Sequence, residues 1–156
     1  MQRTFLSVSL CLFSTLAFAS TARLACSGTK IERLLPSASE ERLHFDFVVE
    51  ATFLNGTKLF ELSGPDFDVA VGNVALNSDG VKTLKQEDLS DATHWDLSST
   101  TIYSKQNAYV EVQLRIDRVT GHLKFLEQKT ISSLNGSITT TVDATCEKIS
   151  AEKTKF

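Results

Sequence analysis

Apolar and polar residues alternate with a period of two along much of the chain, the signature of β-strands. Over residues 43 to 53, Leu43, Phe45, Phe47, Val49, Ala51 and Phe53 share one face, while His44, Asp46, Glu50 and Thr52 share the other. Asn55-Gly56 follows, the pair best suited to a type I′ hairpin turn, whose two central residues need φ > 0. A two-residue loop there sets Phe53 opposite Lys58, Ala51 opposite Phe60, Glu50 opposite Glu61 and Val49 opposite Leu62. Phe60 and Leu62 then join the apolar face of the first strand. A half-buried sheet demands this, because a one-residue slip turns every side chain over.

The same reading applied to Asn135-Gly136 puts Ile138, Thr140, Val142, Ala144 and Cys146 on the face of Ser133, Ile131 and Phe125. Lys129 and Glu127 share that face, so the reading requires a bulge or a wet edge there. Between the hairpins, Val110, Val112, Leu114 and Ile116 alternate with Glu111, Gln113 and Arg115. Asp117 to Gly121 then forms a turn, and His122 to Leu126 returns. Phe67, Val69 and Val71 make a short strand after Gly64-Pro65, continued by Val74 and Leu76, with a turn at Asp79-Gly80. Gln86 to Asp91 reads as loop or one helical turn, and His94 to Tyr103 as a weaker strand. The pattern predicts an all-β antiparallel domain of about eight strands, an up-and-down barrel or a two-sheet sandwich.

The first nineteen residues break this pattern and change the picture of where the chain resides. Arg3 precedes an apolar run from Leu6 to Phe18, and Ala17-Phe18-Ala19 presents the small-x-small pattern of a signal-peptidase site. The run is shorter than the roughly 20 residues of a membrane span. Residues 1–19 are therefore expected to be a signal peptide, and 20–156 one exported domain, periplasmic or secreted. Losing Arg3 with the leader takes the formal charge from −3 to −4. A mildly acidic surface carries no electrostatic footprint for nucleic acid. Ten Phe against one Trp and two Tyr describe a core-building aromatic set.

Cys11 leaves with the leader, so Cys26 and Cys146 remain. In an exported chain such a pair is expected to form a disulfide, which makes the first and last strands neighbours. Closing so long a loop stabilises by about 5 kcal/mol in the chain-entropy model. Leu24-Ala25-Cys26 also matches the end of a lipobox, but Arg23 stands where an aliphatic residue belongs, so no lipid anchor is expected on Cys26.

Sites of chemistry are sparse. His44, His94 and His122 lack metal-ligand spacing, and no Gly-x-Ser-x-Gly elbow occurs, so no metal, cofactor or catalytic residue is assigned. Ala75-x-Asn77-x-Asp79-Gly80 echoes a calcium loop but has Ala at its first position and Gln86 at its twelfth, which favours a plain turn. Glu50 opposite Glu61 reads as two solvated carboxylates. Asn55-Gly56-Thr57 and Asn135-Gly136-Ser137 match glycosylation sequons, although the hairpins call for Asn-Gly in any case. His94-Trp95-Asp96 holds the sole Trp beside a His and an Asp, and is the candidate binding cluster.

Arg115-Ile116-Asp117-Arg118-Val119-Thr120-Gly121, with Cys26-Ser27-Gly28 before it and Cys146-Glu147-Lys148 after it, resembles small exported bacterial proteins of unassigned function. That resemblance implies a periplasmic β-protein and no activity. Size, export and the terminal cysteine pair are also similar to lipocalin-like barrels and periplasmic lysozyme inhibitors. The lipocalin Gly-x-Trp and the inhibitors' motif residues are absent, so no functional residue is carried over. The expectation is a non-enzymatic exported domain that binds a small ligand or protein partner. The alternatives are a structural or surface-assembly component, or a hydrolase with a dispersed site.

Overall fold

The computed structural model describes residues 20–65, 67–72, 77–78, 80–132 and 135–149. Its strands are β1 (Ser20–Leu35), β2 (Ser39–Leu54), β3 (Thr57–Gly64), β4 (Phe67–Gly72), a two-residue β5 (Asn77–Ser78), β6 (Val81–Asp88), β7 (His94–Tyr103), β8 (Ala108–Asp117), β9 (His122–Ile131) and β10 (Gly136–Lys148). A short 3-10 turn at Ser104–Gln106 joins β7 to β8. All ten strands form one antiparallel sheet in the order β4-β3-β2-β1-β10-β9-β8-β7-β6-β5. This is the up-and-down arrangement. The first and last strands, β1 and β10, pair in the middle of the sheet, and its open edges are β4 and β5, neighbours in sequence. The sheet curls into a half-barrel rather than splitting into a sandwich.

β1 and β10 are joined by the ladder from Leu24↔Lys148 to Leu35↔Ser137 and by the Cys26–Cys146 disulfide between directly opposed residues. The sulfur of Cys26 is thus committed to a bridge. Gly28 lies two residues along, and a Cβ there would collide with the Asp143 carbonyl and the Ala144 side chain. The two strands therefore approach more closely beside the bridge than any side chain on Gly28 would allow.

The Asn55-Gly56 hairpin has the expected register, with Phe53↔Lys58, Ala51↔Phe60 and Glu50↔Glu61. Asn55 and Gly56 take φ of 50° and 80°. Glu50, which faces Glu61, lies 3.5 Å from the Arg23 guanidinium of β1. The second hairpin corrects the sequence reading. Gly136 already pairs with Ile131, so the two-residue turn at Asn135-Gly136 is not the one that sets the register, and Val142 faces Phe125 instead of Lys129. The slip sets Phe125 and Leu123 against Val142 and Ala144, and leaves Glu127 and Lys129 on the same face opposite Thr140 and Ile138. Packing, not the Asn-Gly pair, fixes the register. A second correction concerns Gln86 to Asp88, which belong to β6 and pair with Ser99, Ser98 and Leu97 of β7. Their polarity reflects an exposed strand near the sheet edge. A bulge between Thr83 and Lys85 interrupts the same ladder. The continuation through Val74 and Leu76, positions Ala75 and Asp79 of the calcium-like loop, and the signal peptide lie outside the described residues.

The inner face is packed, not hollow. Phe60, Leu62, Val49 and Leu123 are fully buried. Phe67 of β4 crosses the interior to meet Phe125 of β9 edge-on at 5.4 Å, and also packs against Phe45 and Phe47. Phe60 and Phe53 approach Trp95 of β7 at 5.2 and 5.5 Å. These contacts hold the two arms of the sheet together where no backbone ladder does. On the rim, Lys58 of β3 binds Asp88 of β6 at 2.7 Å, and the Gln86 amide donates to the Gly72 carbonyl of β4.

Phe60→Ala should lower the unfolding free energy by about 3–5 kcal/mol, whereas Leu89→Ala should change it by less than about 0.5 kcal/mol. The contrast rests on Phe60 being fully buried and Leu89 largely exposed. Denaturant titration of the two variants measures it, and near-equal effects would refute the inner-face assignment.

Candidate functional site

Strand geometry decides how His94, Trp95 and Asp96 are presented. Consecutive residues of a strand point to opposite faces. Trp95 enters the inner face, half-buried against Phe53 and Phe60. His94 and Asp96 lie on the outer face, where Asp96 is near Arg115 of β8 at 3.7 Å. The structure thus brings Trp95 to a cavity and leaves its two neighbours behind it.

That cavity, about 510 Å³, opens at the end of the half-barrel beside the disulfide. Ala22 and Leu24 of β1, Trp95 and Ile116 form its apolar wall. The turn from Asp117 to Gly121 and the β10 residues Cys146 and Lys148 complete it. Its volume falls within the usual range for small-molecule sites. A larger, shallower hollow of about 720 Å³ involves Ser27, Asp46, Val48 and Thr145 of the outer face. A third, about 390 Å³, lies at the β1–β2 tip among Leu34, Leu35, Pro36, Ile131 and Ile138. The Trp95 cavity combines an aromatic wall, a structured turn and charged groups.

Local hydrogen bonding holds the turn rigid. The Asp117 carboxylate accepts the backbone N–H groups of Val119 and Thr120 at 2.8 and 2.9 Å, and Gly121 N–H donates to the Asp117 carbonyl. Gly121 has φ of 74°, and a Cβ there would collide with the Cys146 carbonyl. Its own carbonyl accepts the Cys146 N–H at 2.8 Å. Only glycine allows this turn to lie flat on the disulfide strand.

A second loop, residues 89–93, is latched onto the turn. Asp91 accepts N–H bonds from Thr93 and His94 at 2.6 and 2.7 Å and the Thr93 hydroxyl at 2.8 Å. His94 stands between Asp91 at 3.6 Å and Asp117 at 3.7 Å. Arg118 donates its backbone N–H to Thr93 and its guanidinium to the Ala92 carbonyl at 3.0 Å. Its guanidinium carbon sits 5.2 Å from the Trp95 ring centre, a cation–π contact. Arg118 is the part of this site that reading the sequence did not find. The contact joins a turn to a strand more than twenty residues away, so no local spacing announces it.

Elsewhere the histidines stand apart from one another. His122 binds Asp143 at 2.7 Å and His44 lies 3.3 Å from the Ser27 hydroxyl, both exposed on the outer face. No cluster of three His, Cys, Asp or Glu able to hold a metal occurs among the described residues. No helix among them is long and apolar enough to cross a membrane. Comparison with protein-family models, with curated proteins and with solved structures finds no match in any of the three.

Hydrogen bonds to the Thr93 side chain and to the Thr93 and His94 backbone hold the Asp91 pKa down to about 2. A depressed carboxylate contributes stability above its ordinary pKa near 4 and loses that contribution as pH falls toward the folded value. Carbon-detected NMR titration should therefore place the Asp91 midpoint near 2, with the 89–93 loop loosening below it. A midpoint near 4 would show that the cap is not formed.

Burial raises the Glu127 pKa, with Glu32 adding to the rise and Lys129 opposing it. A raised carboxylate is costly when charged, so its penalty is present at neutral pH and relieved as pH falls through the folded pKa. Glu127→Gln should stabilise the protein at pH 7, with the gain disappearing in acid. Denaturation at the two pH values checks the sign.

Proposed function

We propose that this chain is an exported, non-enzymatic β-domain that binds a small ligand in the cavity beside Trp95. The observation that carries this reading is the cavity itself, built from a half-buried indole, two β1 side chains and a glycine turn fastened to the disulfide strand. The packed interior supports placing the ligand at this end, since the middle of the half-barrel is filled with phenylalanine rings. The Arg3 to Ala19 leader pattern and the Cys26–Cys146 bridge support residence in an oxidising compartment, periplasmic or extracellular. The His122–Asp143 pair sits in an exposed position on the outer face, where water screens it, which supports binding rather than catalysis.

Trp95 is the sole tryptophan, so its indole N–H gives a single resonance that reports on the cavity. A fragment library screened against the exported, purified protein should yield binders that shift this resonance together with the Gly121 amide. Trp95→Phe should weaken those binders by about tenfold, the loss of roughly 1.4 kcal/mol of contact. Binders that leave the indole resonance unmoved, or a library without binders, would overturn the site. Hydrolytic turnover abolished by replacing His94 or His122 would overturn the non-enzymatic reading.

A further inference from the structure

We infer that the Trp95 cavity selects small amphipathic anions, molecules with a compact apolar body and one carboxylate. The inference rests on the reading of this cavity as a ligand site and names the ligand's chemistry. Three charged side chains line it, Asp117, Arg118 and Lys148. Asp117 is already committed, with one oxygen accepting two turn N–H groups and the other facing His94. A cationic ligand would have to compete for that carboxylate.

The positive groups are differently placed. Arg118 uses one guanidinium nitrogen on the carbonyls of Ala92 and Asp91, at 3.0 and 3.5 Å. The fork formed by its other two nitrogens meets no acceptor among the described residues. That fork has the geometry that binds a carboxylate through two parallel hydrogen bonds. The Ala92 carbonyl and the Trp95 ring already restrain the guanidinium, so a bound anion pays less to order it. Lys148 makes no ion pair among the described residues and adds a second positive charge at the rim. Leu24, Ile116 and the indole supply the surface for the apolar body. The balance of uncommitted charge is therefore positive in a protein whose formal net charge is −3.

Three probes of nearly equal shape test this on the exported protein: 2-naphthylacetate, 2-(2-naphthyl)ethanol and 2-(2-naphthyl)ethylamine. Affinities are read from the Trp95 indole N–H resonance. The acid should bind about tenfold more tightly than the amine, with the alcohol between them, and its advantage should shrink as salt is raised. Arg118→Gln should abolish the preference for acid over alcohol while alcohol binding persists. Lys148→Gln, at the exposed rim, should reduce acid affinity by about threefold with the fold intact. Equal binding of all three probes would overturn anion selection and leave the ligand site standing. A preference that survives in both variants would overturn the assignment to Arg118 and Lys148. No shift with any probe would overturn the inference together with the site on which it rests.

Discussion

The pairing of β1 with β10 constrains everything else in this molecule. In an open meander the first and last strands are the sheet's edges, and each exposes a row of unpaired backbone groups. Here they are its centre, laddered from Leu24↔Lys148 to Leu35↔Ser137 and bridged at Cys26–Cys146. The opening is thereby transferred to β4 and β5, where the chain itself runs from one edge to the other. Side chains do the work of a ladder there. Phe67 on Phe125 and Phe60 on Trp95 draw the arms together from inside, while Lys58–Asp88 and Gln86–Gly72 tie them at the rim. The interior bonds carry more of the stabilisation, because the ion pair is partly exposed and water screens it.

The same pairing positions the candidate site. The Asp117–Gly121 turn rests on β10 at Cys146, and Gly121 can reach it only because it lacks a Cβ. Leu24 of β1 lies on the opposite side of that contact, next to the disulfide. One wall of the cavity is therefore fixed covalently and another by turn hydrogen bonds. Such a site needs little ordering when a ligand arrives, which favours affinity without any gain in contact area.

How much of this was legible depended on whether the governing interaction was local. The Asn55-Gly56 hairpin could be read to the residue, because turn chemistry and face pattern agree there. At Asn135-Gly136 they disagree, and the awkward placement of Glu127 and Lys129 was the visible sign of conflict. Tertiary packing resolved it by setting Phe125 opposite Val142. The disulfide followed from counting cysteines in a chain expected to be exported. Residues 20–42 show weaker alternation, since Lys30 and Glu32 occupy inner-face positions beside one another, and their strands were not read. Trp95 was singled out for its rarity, but grouping it with His94 and Asp96 ignored the alternation applied elsewhere. Arg118 could not be found at all, because its contact with Trp95 exists only after β7 and β8 have paired and the 89–93 loop has folded over.

The inner face also has a chemical gradient, which bears on where a ligand can sit. From Trp95 to Phe125 it is apolar and closely packed. Farther along the same strands it carries Lys30, Glu32, Glu127 and Lys129, with Thr140 between Glu32 and Glu127. Burial raises the Glu127 pKa even with Lys129 nearby, so this end charges its carboxylate at a cost. A protein stabilised only for packing would gain by replacing such a group with an apolar one. Two ends of one half-barrel thus differ in character. One lines a cavity rimmed by Arg118 and Lys148 with apolar surface, and the other packs charged side chains around the buried Thr140. The proposed ligand, with both an apolar body and a negative charge, would find its complement at the first.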